Sequence, residues 1–211
     1  MKRVIIRNIC FLIVALFLFS LVVEYSSITF FKEAEKEEEI PVVVPKETSV
    51  SLIMVGDSLI HGAVYEDAKS NGIYDFRPML SELKPIVSEY DLAFYNQETI
   101  LGGTGLGLSS YPRFNSPYEV GDAFLDSGFN IVALANNHTL DKGEKGIINS
   151  CNYWKDKEAL VAGSYSSLED RNSVVVKEKN GIKYAMLSYT TWTNGLKVPS
   201  GKNYLLTVSL S

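Results

Sequence analysis

Residues that could do metal or acid–base chemistry follow three apolar segments that are typical of β-strands. Asp57 follows the first segment, Glu98 the second, and the pair Asn137 and His138 the third. Because ligands bind beyond the carboxyl ends of strands in open α/β sheets, we expect these side chains to converge at one edge. Carboxylate and amide oxygens together with imidazole suit a divalent metal ion. The pattern therefore predicts a divalent-metal site, beside which His138 could either protonate a leaving group or position a substrate oxyanion.

Each of these residues also has a structural interpretation. Gly56 and Asp57 can form a simple turn with an Asx hydrogen bond, and Asn136 with Asn137 can cap a strand end. A lone histidine is more often a structural residue than a ligand. The repeated placement of such residues at strand ends favours the functional interpretation of the group as a whole.

Three further residues are candidates for substrate binding. His61 lies four residues after Asp57, where a structural and a substrate-facing role are equally favoured. Asn96 precedes Glu98 at the end of the second strand-like segment. Arg113, in the stretch YPRFNSP, could hold an anionic substrate, and an ordinary surface charge explains it equally simply.

The elements that must position these residues alternate between strand-like and helix-like patterns. Apolar runs predict strands at 49–55, 91–95 and 130–135, and helical periodicity predicts a helix over 76–90. This alternation predicts an α/β fold with a mostly parallel first sheet. The stretch GGTGLG lacks the spacing of a dinucleotide-binding loop.

Local signals predict where two further helices begin and where one hairpin turns. Ser116 with Glu119, and Asp141 with Glu144, have the spacing of capping boxes, so helices are expected to start there. Gly128 is expected to end the first of them, and the second is expected to run to about residue 157. Asn180-Gly181 predicts a β-hairpin between strands at 174–178 and 182–189.

The composition excludes several classes of function. The chain has 211 residues, of which 46% are hydrophobic and 21% charged, a balance typical of folded rather than disordered proteins. A net charge of -5 without a basic cluster argues against a nucleic-acid partner. Two cysteines cannot form a disulfide framework, and two histidines cannot form a histidine-rich metal cage.

The N-terminal segment has the pattern of a membrane anchor. An apolar run over residues 9–23 follows Lys2, Arg3 and Arg7, and apolar character resumes to residue 31. No small-residue cleavage site follows, so an uncleaved signal anchor is favoured over a cleaved signal peptide. By the positive-inside rule residues 1–8 form a cytoplasmic basic flank, and the domain at 49–211 is extracytoplasmic. Residues 32–48, acidic and proline-containing, are predicted to form an extended tether.

Four stretches together resemble one known family. They are VGDSLIH, YNQET, YPRFNSP and GFNIVALANNHTLDKG. They are similar to the CapA-type capsule (poly-γ-glutamate) synthesis proteins of the calcineurin-like metallophosphatase superfamily. The resemblance implies a membrane-anchored protein whose exported domain has a metallophosphatase-like α/β/β/α sandwich and holds divalent metal ions, up to two in number.

The resemblance also assigns roles by position. Asp57 matches the first metal aspartate, and Glu98 matches an acidic position that can bridge two metals. Asn137 matches a metal ligand and His138 a catalytic or substrate-facing histidine, while Asp141 and Gly143 complete the motif and shape its loop. Family members continue into further histidine motifs, whereas no histidine follows His138 here. We therefore expect this chain to hold the N-terminal half of the family domain and part of its metal site.

The function that the resemblance implies is capsule or other cell-envelope polymer biosynthesis, with a metal-dependent hydrolase-like site. Expected partners are the lipid bilayer, and either synthase subunits or the anionic polymer itself. Two alternatives remain open at this point: a non-catalytic scaffold or anchor subunit of a synthase complex, and a nonfunctional truncated fragment.

Overall fold

The computed structural model describes residues 2–34 and 47–209, which belong to two units divided after residue 46. The described residues of the first unit form one helix, α1 (Lys2–Ala34). Within it, Cys10–Phe30 is long and apolar enough to cross a membrane, about 31 Å at 1.5 Å per residue. A signal sequence near an N-terminus would have the same length and composition.

The prediction of an apolar N-terminal helix is confirmed. The backbone of residues 2–8, within the predicted basic flank, belongs to the same helix α1. Lysine and arginine are good helix formers, so nothing in their chemistry ends the helix before the apolar run. The predicted tether at 32–48 lies mostly outside the described residues, since 35–46 are not among them.

The second unit is built on a parallel four-stranded sheet with the order β1-β4-β5-β6. Its strands are β1 (Leu52–Asp57), β4 (Leu92–Asn96), β5 (Ile131–Ala133) and β6 (Leu160–Ala162). The register places Ile53 beside Ala93, and Val132 lies between Tyr95 and Val161. The α/β class and the parallel sheet predicted from the sequence are thus confirmed, and the strands begin or end within a few residues of the predicted bounds.

Helices and short irregular segments connect the strands. The β1–β4 connection contains α2 (Gly62–Asp67), the small hairpin β2 (Lys69–Ser70) and β3 (Ile73–Tyr74), a 3-10 turn (Arg77–Leu80) and α3 (Leu83–Val87). A second 3-10 turn (Thr104–Leu106) and α4 (Glu119–Asp126) follow β4, and α5 (Gly143–Lys155) connects β5 to β6. After β6 come α6 (Leu168–Asn172), β7 (Lys177–Lys179) and β8 (Ile182–Tyr184).

The continuous helix predicted over 76–90 is wrong. The structure has a 3-10 turn ending at Leu80 and a separate short helix beginning at Leu83. Pro85 explains the break, because its ring would clash with the carbonyl group of Ser81 in a continuous helix. In the first turn of α3, by contrast, a proline removes no helical hydrogen bond.

Neither predicted capping box forms. The first residue of α4 is Glu119, and Ser116 instead donates its hydroxyl to Oγ1 of Thr99 at 2.8 Å. Helix α5 begins at Gly143 without a side-chain cap, while the carboxylate of Asp141 accepts hydrogen bonds from other residues. In both places a buried tertiary partner replaces the local backbone partner that the spacing predicts.

The hairpin predicted at Asn180-Gly181 is confirmed. Both turn residues have positive φ, 52° and 80°, which is the backbone conformation that this dipeptide favours. Its strands β7 and β8 are shorter than predicted, with three paired residues each.

The core lies between the sheet and the helices and fixes the strand ends. Tyr95 of β4 stacks on Phe124 of α4 with ring centroids 4.0 Å apart, and Phe129 and Trp154 are also buried in this cluster. A second cluster includes Leu205 and Leu206, both fully buried, so the last described segment packs as part of the domain. On β1, Ile53 and Val55 pack against the core while Leu52 and Met54 are exposed.

Candidate functional site

Three strand ends meet at one edge of the sheet, as the sequence predicts. Asp57 is the last residue of β1, Glu98 lies two residues after β4, and His138 lies in the loop after β5. Because the three strands are parallel neighbours, their carboxyl ends share this edge. The His138 Nε2 atom is 3.9 Å from Oε1 of Glu98, so residues 40 positions apart in the chain lie close together.

Two asparagines hold this edge in place. Asn96 donates to Oδ1 of Asp57 at 2.8 Å and accepts, through its own Oδ1, from Nδ2 of Asn136 at 3.2 Å. Asn136 also donates to the Gln97 carbonyl at 2.9 Å. Asn96 was predicted as a substrate-binding residue. In the structure both its amide nitrogen and its amide oxygen already form hydrogen bonds within the protein, and these connect the ends of neighbouring strands.

Glu98 and Asp57 form a pair of neighbouring carboxylates. The pKa of Glu98 is raised above its ordinary value, first because the side chain is partly withdrawn from water. The negative charge of Asp57 raises the pKa further, and His138 acts in the opposite direction. A partly buried Glu98 beside the negative charge of Asp57 forms a place where a cation would be stabilised.

His138 is a buried residue held by several partners. Its Nδ1 atom lies 2.7 Å from Oδ2 of Asp141, and its backbone N–H donates to Oδ1 of Asn136 at 2.9 Å. The backbone N–H of Phe114 donates to the same Asp141 oxygen at 2.7 Å. The other oxygen of Asp141, Oδ1, is buried without a hydrogen-bond partner among the described residues.

Asn137 lies beside this histidine and is half-buried. Its Nδ2 atom donates to Oδ1 of Asn194 at 3.4 Å, and Nδ2 of Asn194 lies 3.3 Å from Nδ1 of His138. Asn194 was not among the residues that the sequence pointed to. It belongs to an Asn-Gly turn with a φ of 50°, a local signal for a turn that says nothing about a distant histidine.

The two remaining predicted residues lie at the margin. His61 is exposed, its Nδ1 is 3.3 Å from the hydroxyl of Ser110, and its ring meets Phe114 edge-on at 4.9 Å. Phe114 meets His138 in the same way at 4.8 Å. Arg113 is exposed, and within residues 47–209 the contact seen for it is through its carbonyl, which accepts from Ser109 at 2.6 Å. The structure thus brings His61 near the cluster through Phe114 and leaves the Arg113 side chain outside it.

The donor set suits a divalent metal ion in its chemistry, since two carboxylates, an amide oxygen and an imidazole are ligands that such ions accept. The number of charged or imidazole ligands in this set, however, is small. Across the described ranges 2–34 and 47–209, no group of three or more His, Cys, Asp or Glu side chains is arranged to hold a metal ion. Any ion bound here would therefore rely on Asn137, on water, or on groups outside those ranges.

The parallel sheet flanked by helices makes this domain an α/β protein, and the family that its sequence matches has a metallophosphatase-like fold. The chain belongs to the bacterial capsule synthesis protein family PGA_cap, whose sequence model matches residues 51–206. All the site residues discussed above lie within the matched range.

Relatives of known sequence agree with this membership. The capsule biosynthesis protein CapA of Bacillus anthracis is 26% identical over 157 residues, which are 71% of this chain and 37% of that protein. Two uncharacterized proteins of Sinorhizobium fredii (strain NBRC 101917 / NGR234), y4uA and y4sH, are each 26% identical over 147 residues, 67% of this chain and 30% of theirs. The chain spans about a third of the length of these curated relatives.

Proposed function

We propose that this chain acts in the biosynthesis of an extracellular polymer, a capsule of poly-γ-glutamate or a similar anionic envelope polymer, through a metal-dependent hydrolase-like site. The observation that carries the proposal is the convergence of Asp57, Glu98 and His138 at the carboxyl edge of the parallel sheet. Membership of the PGA_cap family and similarity to the capsule protein of Bacillus anthracis support the polymer class.

The proposed site divides binding and proton transfer among its residues. Asp57, Glu98 and Asn137 would hold one or two divalent cations, whose charge offsets the mutual repulsion of the two carboxylates. A bound cation of this kind polarises a phosphoryl or amide centre and lowers the pKa of a bound water. His138 lies 3.9 Å from Glu98, so its imidazole can exchange a proton with a group held beside that carboxylate.

The remaining candidates would act on the substrate. His61 is exposed beside Ser110 and close to the same edge, a position from which it can contact an anionic group of a polymer chain. Arg113 is exposed on the loop that carries Ser110, between β4 and α4, and supplies positive charge at longer range. Asn96 serves this part of the site by keeping Asp57 oriented.

The proposal places the domain outside the cytoplasm, anchored by α1. Cys10–Phe30 is long enough to span a bilayer, and the basic residues lie on its N-terminal side, which the positive-inside rule assigns to the cytoplasm. This arrangement would present the site to a polymer as it leaves the cell, next to the membrane-bound subunits that make it.

A second candidate function is a scaffold or anchor subunit without catalysis. The absence of a metal-holding group of three His, Cys, Asp or Glu side chains among the described residues favours it. Under this alternative the strand-end network only stabilises the fold, and α1 recruits the domain to a synthase complex.

Metal binding separates the two candidates. Titration of the full chain in detergent with Mn²⁺, followed by calorimetry, should show saturable binding that falls by at least about tenfold when Asp57→Asn and Glu98→Gln are combined. Glu89→Gln, a change of the same type at an exposed position, should leave the binding unchanged. Equal Mn²⁺ binding by all variants, or none by the wild type, would favour the scaffold function. Hydrolysis of a chromogenic phosphate monoester by the Mn²⁺-loaded chain, lost in His138→Ala, would then support catalysis.

A further inference from the structure

We propose that α1 docks, through the face that carries Glu24, against a transmembrane helix of another protein that presents a lysine or arginine at the same depth. The inference rests on the membrane anchoring of α1 that is part of the proposed function. It adds the contact by which the anchor selects a partner.

Glu24 lies inside the apolar segment of α1 and not at its end. It is the one acidic or basic residue of Cys10–Phe30. It follows Cys10 by 14 positions and precedes Phe30 by six, which is about 21 Å and about 9 Å along the helix axis. Long lysine and arginine side chains reach the membrane surface from near a helix end, but a glutamate side chain is too short for this. Charged side chains inside a span nearly always pair with another charge or face the interior of a helix bundle, so Glu24 indicates a contact with another membrane helix.

The helix itself supplies no counter-charge for this carboxylate. Ion pairs within a helix form between residues three or four positions apart. The nearest basic residues in the sequence, Arg7 and Lys32, are 17 and eight positions away from Glu24. The hydrogen bond seen at Glu24 uses its backbone carbonyl, which accepts from the Ser27 hydroxyl at 2.8 Å. Among the described side chains of α1, the Glu24 carboxylate therefore has no partner.

The face around Glu24 is suited to close helix packing. Ser20, Glu24 and Ser27 are four and three positions apart, so they share one side of α1. Both serine hydroxyls donate to a backbone carbonyl one turn earlier at 2.8 Å, so their polar groups are satisfied within the helix. Small residues on a helix face let a second backbone approach closely. The opposite side, which includes Leu18 and Val22, is apolar and exposed, as lipid contact requires.

Charge complementarity decides what covers this face. A second copy of α1 in the same orientation would set two Glu24 carboxylates at the same depth, where the low dielectric makes their repulsion strong. A lysine or arginine at that depth would neutralise the carboxylate and donate a charge-assisted hydrogen bond to it. The occupant is therefore a membrane helix of a different protein, with a basic residue inside its span.

Energy transfer between labelled helices in phosphatidylcholine liposomes tests the contact. The full chain carries a donor dye at its amino terminus. The probe is a synthetic leucine–alanine helix of the same length as Cys10–Phe30, with an acceptor dye and one lysine six positions from one end. The wild-type chain should bind this helix about 3- to 30-fold more tightly than the same helix with leucine in place of the lysine, which is the range for polar contacts between membrane helices.

Two variants show whether Glu24 makes the contact. Glu24→Leu should remove the preference for the lysine helix, and because it makes α1 more apolar, the loss cannot come from failed insertion. Ser26→Leu changes a polar residue on the opposite side of α1 and should retain the preference. Mn²⁺ binding should be unchanged in both variants, since neither position belongs to the strand-end site. An equal preference for the lysine helix in wild type and Glu24→Leu would contradict the proposal.

The outcomes also separate this contact from the anchoring on which it rests. Flotation of the liposomes in a density gradient shows whether the chain is anchored. A wild-type chain that floats with the liposomes but binds the lysine and leucine helices equally would overturn the contact and leave the anchoring intact. Transfer confined to pairs of wild-type chains would also overturn it, in favour of a second copy as the occupant. A chain that does not float would overturn both the contact and the anchoring.

Discussion

Asn96 donates a hydrogen bond from Nδ2 to Oδ1 of Asp57 at 2.8 Å, and so joins the carboxyl ends of the neighbouring strands β1 and β4. The carbonyl of the same side-chain amide accepts from Asn136, which follows β5. A single asparagine therefore uses both ends of its amide to align polar groups from three consecutive strands of the sheet. Asp57 is exposed, so without Asn96 its carboxylate would be free to change rotamer.

Replacement of Asn96 by alanine is expected to weaken Mn²⁺ binding by about 10- to 100-fold, the range seen when a partner that orients a ligand is removed. In the wild type both ends of the Asn96 amide are occupied by Asp57 and Asn136, so Asn96 is not a proposed metal ligand. The loss of affinity in the variant would therefore come from a misoriented Asp57. Calorimetric titration of wild type and variant measures the change. Asn152→Ala, at an exposed site on α5, is the matched control and should bind as the wild type does. Equal affinity in the Asn96 and Asn152 variants would show that Asp57 needs no orienting partner.

The sequence predicted the sheet and its polar edge because both depend on local patterns. Apolar runs followed by Asp57, Glu98 and His138 mark the strand ends, and parallel order places those ends together. The network behind these residues was not predicted. Asp141 has the spacing of a helix cap, and only the folded chain shows that its carboxylate contacts His138 and Phe114. One of these partners, Phe114, lies 27 positions away in the sequence.

Long-range pairing also explains why Asn194 was missed. Asn194 reaches His138 from a turn 56 residues later, and no periodicity links the two positions. The continuous helix predicted over 76–90 was wrong for a local reason. The prediction gave more weight to the helical periodicity than to Pro85, which breaks the helix in the structure. Patterns in the sequence thus located the polar edge of the sheet, while the partners that orient its side chains required the tertiary structure.

Asp91 is expected to make the stability of the domain depend on pH in the acidic range. Its Oδ2 accepts from the backbone N–H of Ser51 at 2.9 Å and from the Ser51 hydroxyl at 3.0 Å, and these bonds hold its pKa below the ordinary 3.8. Oδ1 accepts from Asn180 at 3.2 Å, with Lys179 at 3.8 Å. The carboxylate thus ties the start of β4 to the residue before β1 and to the hairpin turn.

The direction of the effect follows from the lowered pKa. The unfolded chain binds a proton at higher pH than the folded chain does, so the stability that Asp91 contributes is complete above about pH 4 to 5 and is lost as the pH falls through the folded pKa. Asp91→Asn should therefore lower the melting temperature most at neutral pH, and the gap to wild type should narrow toward pH 2. Thermal unfolding followed by circular dichroism over that range measures the gap, with Asp67→Asn as the exposed control. A gap that stays constant with pH would mean that the charge of Asp91 contributes nothing.

Gly163 is expected to be the least replaceable of the small residues near the sheet. It directly follows β6 and has a φ of 115°, which residues with a side chain rarely adopt. A Cβ atom there would lie 2.5 Å from the backbone nitrogen of Ala135 and 2.8 Å from the Ser188 hydroxyl. Backbone strain and overpacking each cost about 1 to 3 kcal/mol, so Gly163→Ala should destabilise the domain by about 2 to 6 kcal/mol.

Gly105 provides the matched control for that prediction, because a Cβ atom at this position meets no atom within 4 Å and its φ is not in the left-handed region. The free energy of unfolding from urea titration should be nearly unchanged in Gly105→Ala and clearly reduced in Gly163→Ala. The difference arises because Ser188, which accepts from the Ala135 N–H at 3.3 Å, brings a late segment of the chain against the end of β5. Similar stability of the two variants would mean that the contact of Gly163 with Ala135 and Ser188 is loose enough to admit a methyl group. The segment around Ser188 would then not fix the end of β5, on which the candidate site is built.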